Sequence, residues 1–222
     1  MKYQNTVEGK FISRPNRFIA EIQLGAERVI CHVKNTGRLK ELLVPGATVW
    51  LEKSDNPNRK TAYDLIAVQK SGEIINIDSQ APNKIAAEWL PHSELFDEGT
   101  LFRAEVTHQN SRFDLLAGDT WIEVKGITLN VDGVARFPDA PTLRGVKHLN
   151  ELTEIAQNGG KAMVLFIVQM KGIHAVAPND QTHPAFGAAL RRAAAAGVEI
   201  LAVDCIVRPG EVIADRMLPV IL

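Results

Sequence analysis

The stretch RFDLLAGDTWIEVKG, residues 112–126, decides the reading of this chain. Gly118-Asp119 separates two apolar, β-rich runs and fits a two-residue hairpin loop of type II′, with Gly at its first central position. The turn sets a register in which Ala117 faces Thr120, Leu116 faces Trp121 and Leu115 faces Ile122. Asp114 then falls opposite Glu123, and directly facing residues have Cβ atoms about 4.5–5.5 Å apart. Lys125 lies two residues beyond Glu123 and projects from the same face. Two carboxylates at that spacing raise one another's pKa or share a cation. Mg²⁺ takes such oxygen ligands and keeps several waters. A lysine beside one of those waters can orient it, help remove its proton or stabilise charge on a phosphate. The competing account is a solvated strand face with paired charges. A purely structural hairpin would rather set Lys than Glu opposite Asp.

Working outward, Leu101–Thr107 adds a strand before the hairpin and Lys84–Leu90 a helix before that. Pro141 opens a long helical pattern with an apolar stripe of Leu143, Val146, Leu149, Leu152 and Ile155, closed by Asn158-Gly159-Gly160. Lys161–Gln169 and Val198–Val207 read as buried strands on either side of an Ala-rich helix, Pro184–Ala196. Ile173–Ala177 and Val212–Val220 add extended pieces. This order predicts an α/β domain with a mixed central sheet over residues 81–222. Ahead of it, Lys10–Ser13, Arg17–Leu24, Arg28–Val33, Thr48–Lys53 and Ala62–Lys70 read as strands, with Gly37–Leu43 as a short helix. Three strands, a helix and two strands are the order of an OB-like β-barrel over residues 1–80, although other small barrels share it. Ser79–Asn83 reads as the linker.

The bulk properties are those of a globular chain. Of 222 residues, 45% are hydrophobic and 23% charged, which argues against disorder. The longest apolar run, Ala162 to Val168, is too short to span a bilayer, and MKYQNTVEGKF has no apolar signal-peptide core. Cys31 and Cys205 match no zinc spacing and read as buried thiols of a cytoplasmic protein. The net charge of −1 gives no global sign of nucleic acid. Residues 1–80 are mildly basic, with 12 Lys+Arg against 9 Asp+Glu, and the remainder is acidic. An acidic domain that meets phosphate needs metal ions between them.

Asp114 with Glu123-Val124-Lys125 resembles the PD-(D/E)xK nuclease superfamily. Its core is a helix, three antiparallel strands, a helix and a fourth strand, with Asp on the second strand and E-x-K on the third. Arg112-Phe113 stand where a Pro often precedes that Asp. Over its full length the chain resembles the sugar fermentation stimulation protein family (SfsA-like). The resemblance is carried by HVKNTGRLKELLVPG (32–46), SRFDLL (111–116), WIEVKGITL (121–129), FPDAPTLRGVKHLNEL (137–152), MVLFIVQM (163–170) and AALRRAAAAGVEILA (188–202). It implies an OB-like domain followed by a nuclease-like α/β domain, DNA as partner and a link to maltose metabolism. The superfamily pattern implies Mg²⁺ or Mn²⁺ held by Asp114, Glu123 and the Val124 carbonyl, with Lys125 serving the attacking water.

Further contacts follow from position. Arg144, Lys147 and His148, in the first turns of the long helix, are candidate phosphate contacts together with Arg112. In the barrel, Lys34 and Arg38 lie in a basic cluster, but stacking aromatics are few, so backbone-dominated DNA binding of low sequence specificity is expected. Asp139 is read as the helix N-cap or a member of the metal site. Glu88 is a further acidic group or a surface residue. Gln169 lines the site or caps a strand end. Two functions stay open: a metal-dependent deoxyribonuclease, and a non-catalytic DNA-binding regulator of sugar metabolism on a nuclease-like scaffold. The sequence is compatible with a homodimer.

Overall fold

A computed structural model of the chain describes residues 1–35 and 37–222. Its first six strands are β1 (Thr6–Asn16), β2 (Ile19–Leu24), β3 (Glu27–Val33), β4 (Thr48–Lys53), β5 (Tyr63–Lys70) and β6 (Glu73–Asn76). They form one sheet in the order β3-β2-β1-β4-β5-β6. A parallel pairing of β3 with β5, Cys31↔Tyr63 to Val33↔Leu65, closes five of them into the expected OB-like barrel. Alternate residues supply its core: Phe11, Ala20, Ile22, Cys31, Val33, Val49, Leu51 and Leu65 are buried. β6, too short to show a period, is a strand that the sequence reading lacks.

β1 serves two neighbours. Thr6–Lys10 pair with β4, and Lys10–Asn16 pair with β2 through irregular registers that bend the strand. Gly9 sits at this changeover, where a Cβ would come within 2.6 Å of Ile22 Cγ2 and 2.9 Å of the Gln23 carbonyl. The expected helix at Gly37–Leu43 is absent. Leu39 takes a positive φ of 49°, and the amides of Leu42 and Leu43 both donate to its carbonyl. The i, i+3, i+4 spacing of Leu39, Leu42 and Leu43 is satisfied by one tight turn that buries all three.

The remaining elements are α1 (Ala81–Trp89), β7 (Phe102–His108), β8 (Ser111–Ala117), β9 (Thr120–Ile127), β10 (Asn130–Val131), β11 (Val134–Phe137), α2 (Leu143–Gln157), β12 (Lys161–Val168), β13 (Ala175–Pro178), α3 (Pro184–Ala195), β14 (Glu199–Arg208) and β15 (Glu211–Met217), in the expected order except that the short β10 and β11 were not expected. The sheet runs β15-β14-β12-β9-β8-β7. β12 is parallel to β9 and β14, while β8 is antiparallel to β7 and β9, so the sheet is mixed. β12 lies centrally and is buried from Ala162 to Val168, which explains its unbroken apolar sequence. β11 and β13 pair in parallel beside β10 in a small separate sheet.

The chain forms two compact units. The first holds Met1–Ala81 with Gln169–Gly172 and Cys205–Ile213, and the second holds the rest. Among the described residues, no helix is long and apolar enough to cross a membrane. Gly9→Ala is expected to destabilise the barrel by about 1–3 kcal/mol, because the added methyl overpacks the β1–β2 contact. Urea unfolding of the two proteins measures this.

Candidate active site

The hairpin of β8 and β9 has the predicted register, Ala117↔Thr120, Leu116↔Trp121 and Leu115↔Ile122. Gly118 takes a φ of +56°, as a II′ turn requires of its first central residue. The ladder stops at Leu115↔Ile122. In a two-residue hairpin, hydrogen-bonded pairs alternate with non-bonded ones, so Phe113 and Val124 would exchange the next bonds. Instead the Val124 amide donates to Asp114 Oδ2 at 2.8 Å. A carboxylate thus replaces a strand carbonyl. The Val124 N–H and C=O project on the same side of an extended strand, so the carbonyl is directed toward β8 as well.

Asp114 Oδ1 accepts from Asn83 Nδ2 of α1 at 2.7 Å. Asn83 falls in the stretch expected as linker, but α1 begins at Ala81 and carries it to Asp114. Glu88, the acidic residue considered for this helix, is exposed. It lies five residues on, roughly 140° around the helix from Asn83.

Glu123 is only 2% exposed. Lys125 Nζ donates to its Oε1. The same oxygen lies 2.5 Å from His148 Nδ1, and Arg144 Nε donates to His148 Nε2 at 3.4 Å. With Nε2 accepting, the proton sits on Nδ1 and is donated to Glu123. Glu123 Oε2 is buried and has no hydrogen-bond partner. Burial raises the Asp114 carboxyl above the ordinary aspartate range, and the charge of Glu123 adds to this against Lys125, the Val124 amide and Asn83. For Glu123 burial also opposes ionisation, but the His148 hydrogen bond and Lys125 prevail and hold it below its ordinary value.

His148 is a correction to the sequence reading. Expected on a solvated helix face as a phosphate contact, it is 4% exposed and packs its ring 5.7 Å from that of Phe113. The cause is the rotation of α2. Gly145, His148, Leu149, Leu152 and Ile155 are its buried residues, whereas Leu143, expected in the core, is 82% exposed. A Cβ on residue 145 would lie 3.3 Å from the Phe186 ring, so the glycine lets that face approach α3 closely. Thr142, not Asp139, caps the helix, accepting from the Gly145 amide at 3.0 Å. Asp139 is exposed before it.

Arg144 and Lys147 are exposed on α2, and Lys147 also donates to the Asn110 carbonyl at 3.0 Å. Arg112 is exposed and lies 3.5 Å from Glu105. In the first unit Arg38 is exposed. Lys34 is not a free cation: it lies 3.2 Å from Asp78, 3.4 Å from Asp64 and 3.9 Å from Glu52. Gln169 has the strand-end role, since its amide donates to Asn76 Oδ1 at 2.6 Å and to the Asp78 carbonyl at 3.0 Å.

Among the described residues, no three His, Cys, Asp or Glu side chains gather as a metal-ligating set. The donors fit a hard, water-rich cation rather than a caged one. Mg²⁺ is held by one or two carboxylates and keeps waters, and a buried carboxylate oxygen without a hydrogen-bond partner is an oxygen donor of the kind such a cation takes.

Residues 12–77 match the SfsA N-terminal OB domain and residues 80–211 the sugar fermentation stimulation protein RE domain. The chain is 49% identical over 224 residues to a sugar fermentation stimulation protein homolog of Ruminiclostridium cellulolyticum, covering 99% of each. It is 55% identical over 209 residues to a homolog from Desulfitobacterium hafniense strain Y51, covering 92% of this chain and 91% of that one. The structure of Pyrococcus furiosus SfsA, determined in complex with Ca²⁺, superposes with a TM-score of 0.87 at 29% identity, covering 100% of this chain and 98% of that one.

A carboxyl whose pKa is raised on folding costs stability once the pH exceeds its unfolded value, about 3.9 for aspartate, and costs most above its folded value. Asp114→Asn removes that charge and keeps one acceptor for the Val124 amide. The variant is therefore expected to be more stable than the parent at pH 7, with the gain shrinking as the pH falls toward about 4. Urea midpoints across that range test the sign.

Proposed function

Because the chain belongs to the sugar fermentation stimulation protein family, we propose that it binds DNA and hydrolyses phosphodiesters at Asp114, Glu123 and Lys125 with Mg²⁺ or Mn²⁺. The observation that carries this reading is the buried Oε2 of Glu123, which has no hydrogen-bond partner. Two acids share one site with too few protein donors to satisfy them. The Ca²⁺ of the Pyrococcus furiosus relative is an oxygen-seeking cation of the same hard class.

In this reading Asp114, Glu123 and the Val124 carbonyl hold the cation. Bound there, it supplies a water of lowered pKa and a Lewis acid for the phosphate oxygen. Lys125, on the same strand face as Glu123, orients the attacking water and stabilises charge developing on the phosphate. Asn83 and the Val124 amide fix Asp114 so that its lone pairs are aimed before substrate arrives. Arg144, Lys147 and Arg112 contact backbone phosphates, and Arg38 extends that role to the barrel. Contacts of this kind carry little sequence information and weaken with salt.

The test is cleavage of single-stranded, duplex and branched DNA with Mn²⁺. Lys125→Ala is expected to lower the rate about 10²–10⁴-fold while DNA binding persists. Asp114→Ala and Glu123→Ala should remove metal dependence and cleavage together. DNA binding that is indifferent to metal and to Asp114→Ala, with no cleavage of any form, overturns the nuclease reading in favour of a regulator on a nuclease-like scaffold.

A further inference from the structure

Lys125 and His148 both bond Oε1 of Glu123, and neither bonds Oε2. The carboxylate is therefore not merely buried but oriented, with one oxygen saturated by donors and the other reserved. Lys125 alone cannot fix that orientation, because its ammonium sits on a flexible stem with rotatable donors. His148 can. Its ring is buried, packed near Phe113, and carried on the second turn of a helix capped by Thr142. Its tautomer is set from behind by Arg144 Nε at 3.4 Å. Arg144 is four residues earlier on the same helix face and is itself exposed, so the arrangement runs from solvent to the buried acid through one imidazole.

We infer that His148 is a positioning residue that aims Glu123 Oε2 at the cation, and that Arg144 holds the His148 tautomer that does so. This inference rests on the proposed metal-dependent reading and assigns a residue outside the acid-acid-lysine set. A buried imidazole N–H on a ligating carboxylate restricts the rotation that would otherwise let the free carboxylate turn both oxygens toward Lys125. His148 touches neither the substrate nor the cation. Its loss should act on cation affinity and turnover but not on DNA affinity, whereas loss of a phosphate contact does the reverse.

The geometry supplies a conservative rescue. Asn places an amide N–H near the position of histidine Nδ1, whereas Gln places it near Nε2, away from Glu123. Leu fills the volume with no donor. Mn²⁺ binding to the full chain, measured by titration calorimetry without DNA, is the primary readout. His148→Leu and His148→Gln are expected to weaken Mn²⁺ binding about 10-fold or more. His148→Asn should restore most of it. In cleavage assays the same variants should lower kcat and leave KM for DNA near the parent value. If His148→Leu fails to fold, the Asn and Gln variants give the same contrast between two polar side chains. Unchanged Mn²⁺ affinity in folded His148→Leu or His148→Gln overturns this inference and leaves the metal site standing. Failure of the parent protein to bind Mn²⁺ overturns the metal-dependent reading, and this inference with it.

Discussion

The hydrogen bond from the Val124 amide to the Asp114 carboxylate is the contact on which the candidate site depends. The β8–β9 ladder ends at Leu115↔Ile122, and beyond it the acid stands where a strand carbonyl would be. A buried amide must be paired, so the exchange is tolerated only because the carboxylate supplies an acceptor. The two strands can therefore separate at the site without leaving an unsatisfied donor. Glu123, Lys125 and the Val124 amide all act on Asp114 there, while the rest of the hairpin is an ordinary antiparallel pair.

The second determinant is the rotation of α2. A helix that had buried Leu143 and Val146 would have turned His148 outward and left Glu123 with Lys125 alone. Gly145 instead faces α3, where a side chain would collide with Thr142 and Phe186. With glycine there, the buried face becomes 145, 148, 149, 152 and 155. The exposed Leu143 is the counterpart of that choice.

The barrel uses charge differently. Asp64 is buried among Arg59, Lys34 and His32, and although burial opposes its ionisation, Arg59 and Lys34 hold it below the ordinary aspartate range. Lys34 also reaches Asp78, whose carboxylate accepts from the Tyr3 hydroxyl; burial and that charge push the Tyr3 pKa up. His32 and Asp64 face each other across the β3–β5 pairing that closes the barrel. Arg59 and Lys34 are committed to structure, and basic residues near a barrel strand are not by themselves a nucleic-acid surface.

The sequence by itself determined the hairpin register, most of the succession of strands and helices along the chain, and the acid-acid-lysine set. These follow from local chemistry: Gly118 in a two-residue turn, period-two alternation, and unbroken apolar runs for buried strands. It also carried the family resemblance, because the matching segments run through the whole chain. What only the tertiary structure decided are the partners across elements. Asn83 was legible as a linker residue and His148 as a phosphate contact, since a helix boundary and a helix rotation depend on what the helix packs against. Lys34 and Gln169 were polar residues near candidate surfaces, and each proved to be bound to groups distant in sequence. The reading that Asp114 falls opposite Glu123 came from the turn, whose observed register ends at Leu115↔Ile122. Which oxygen of Glu123 is held, and which is left without a hydrogen-bond partner, was settled by packing, because that depends on a helix some 25 residues downstream approaching one face of one strand.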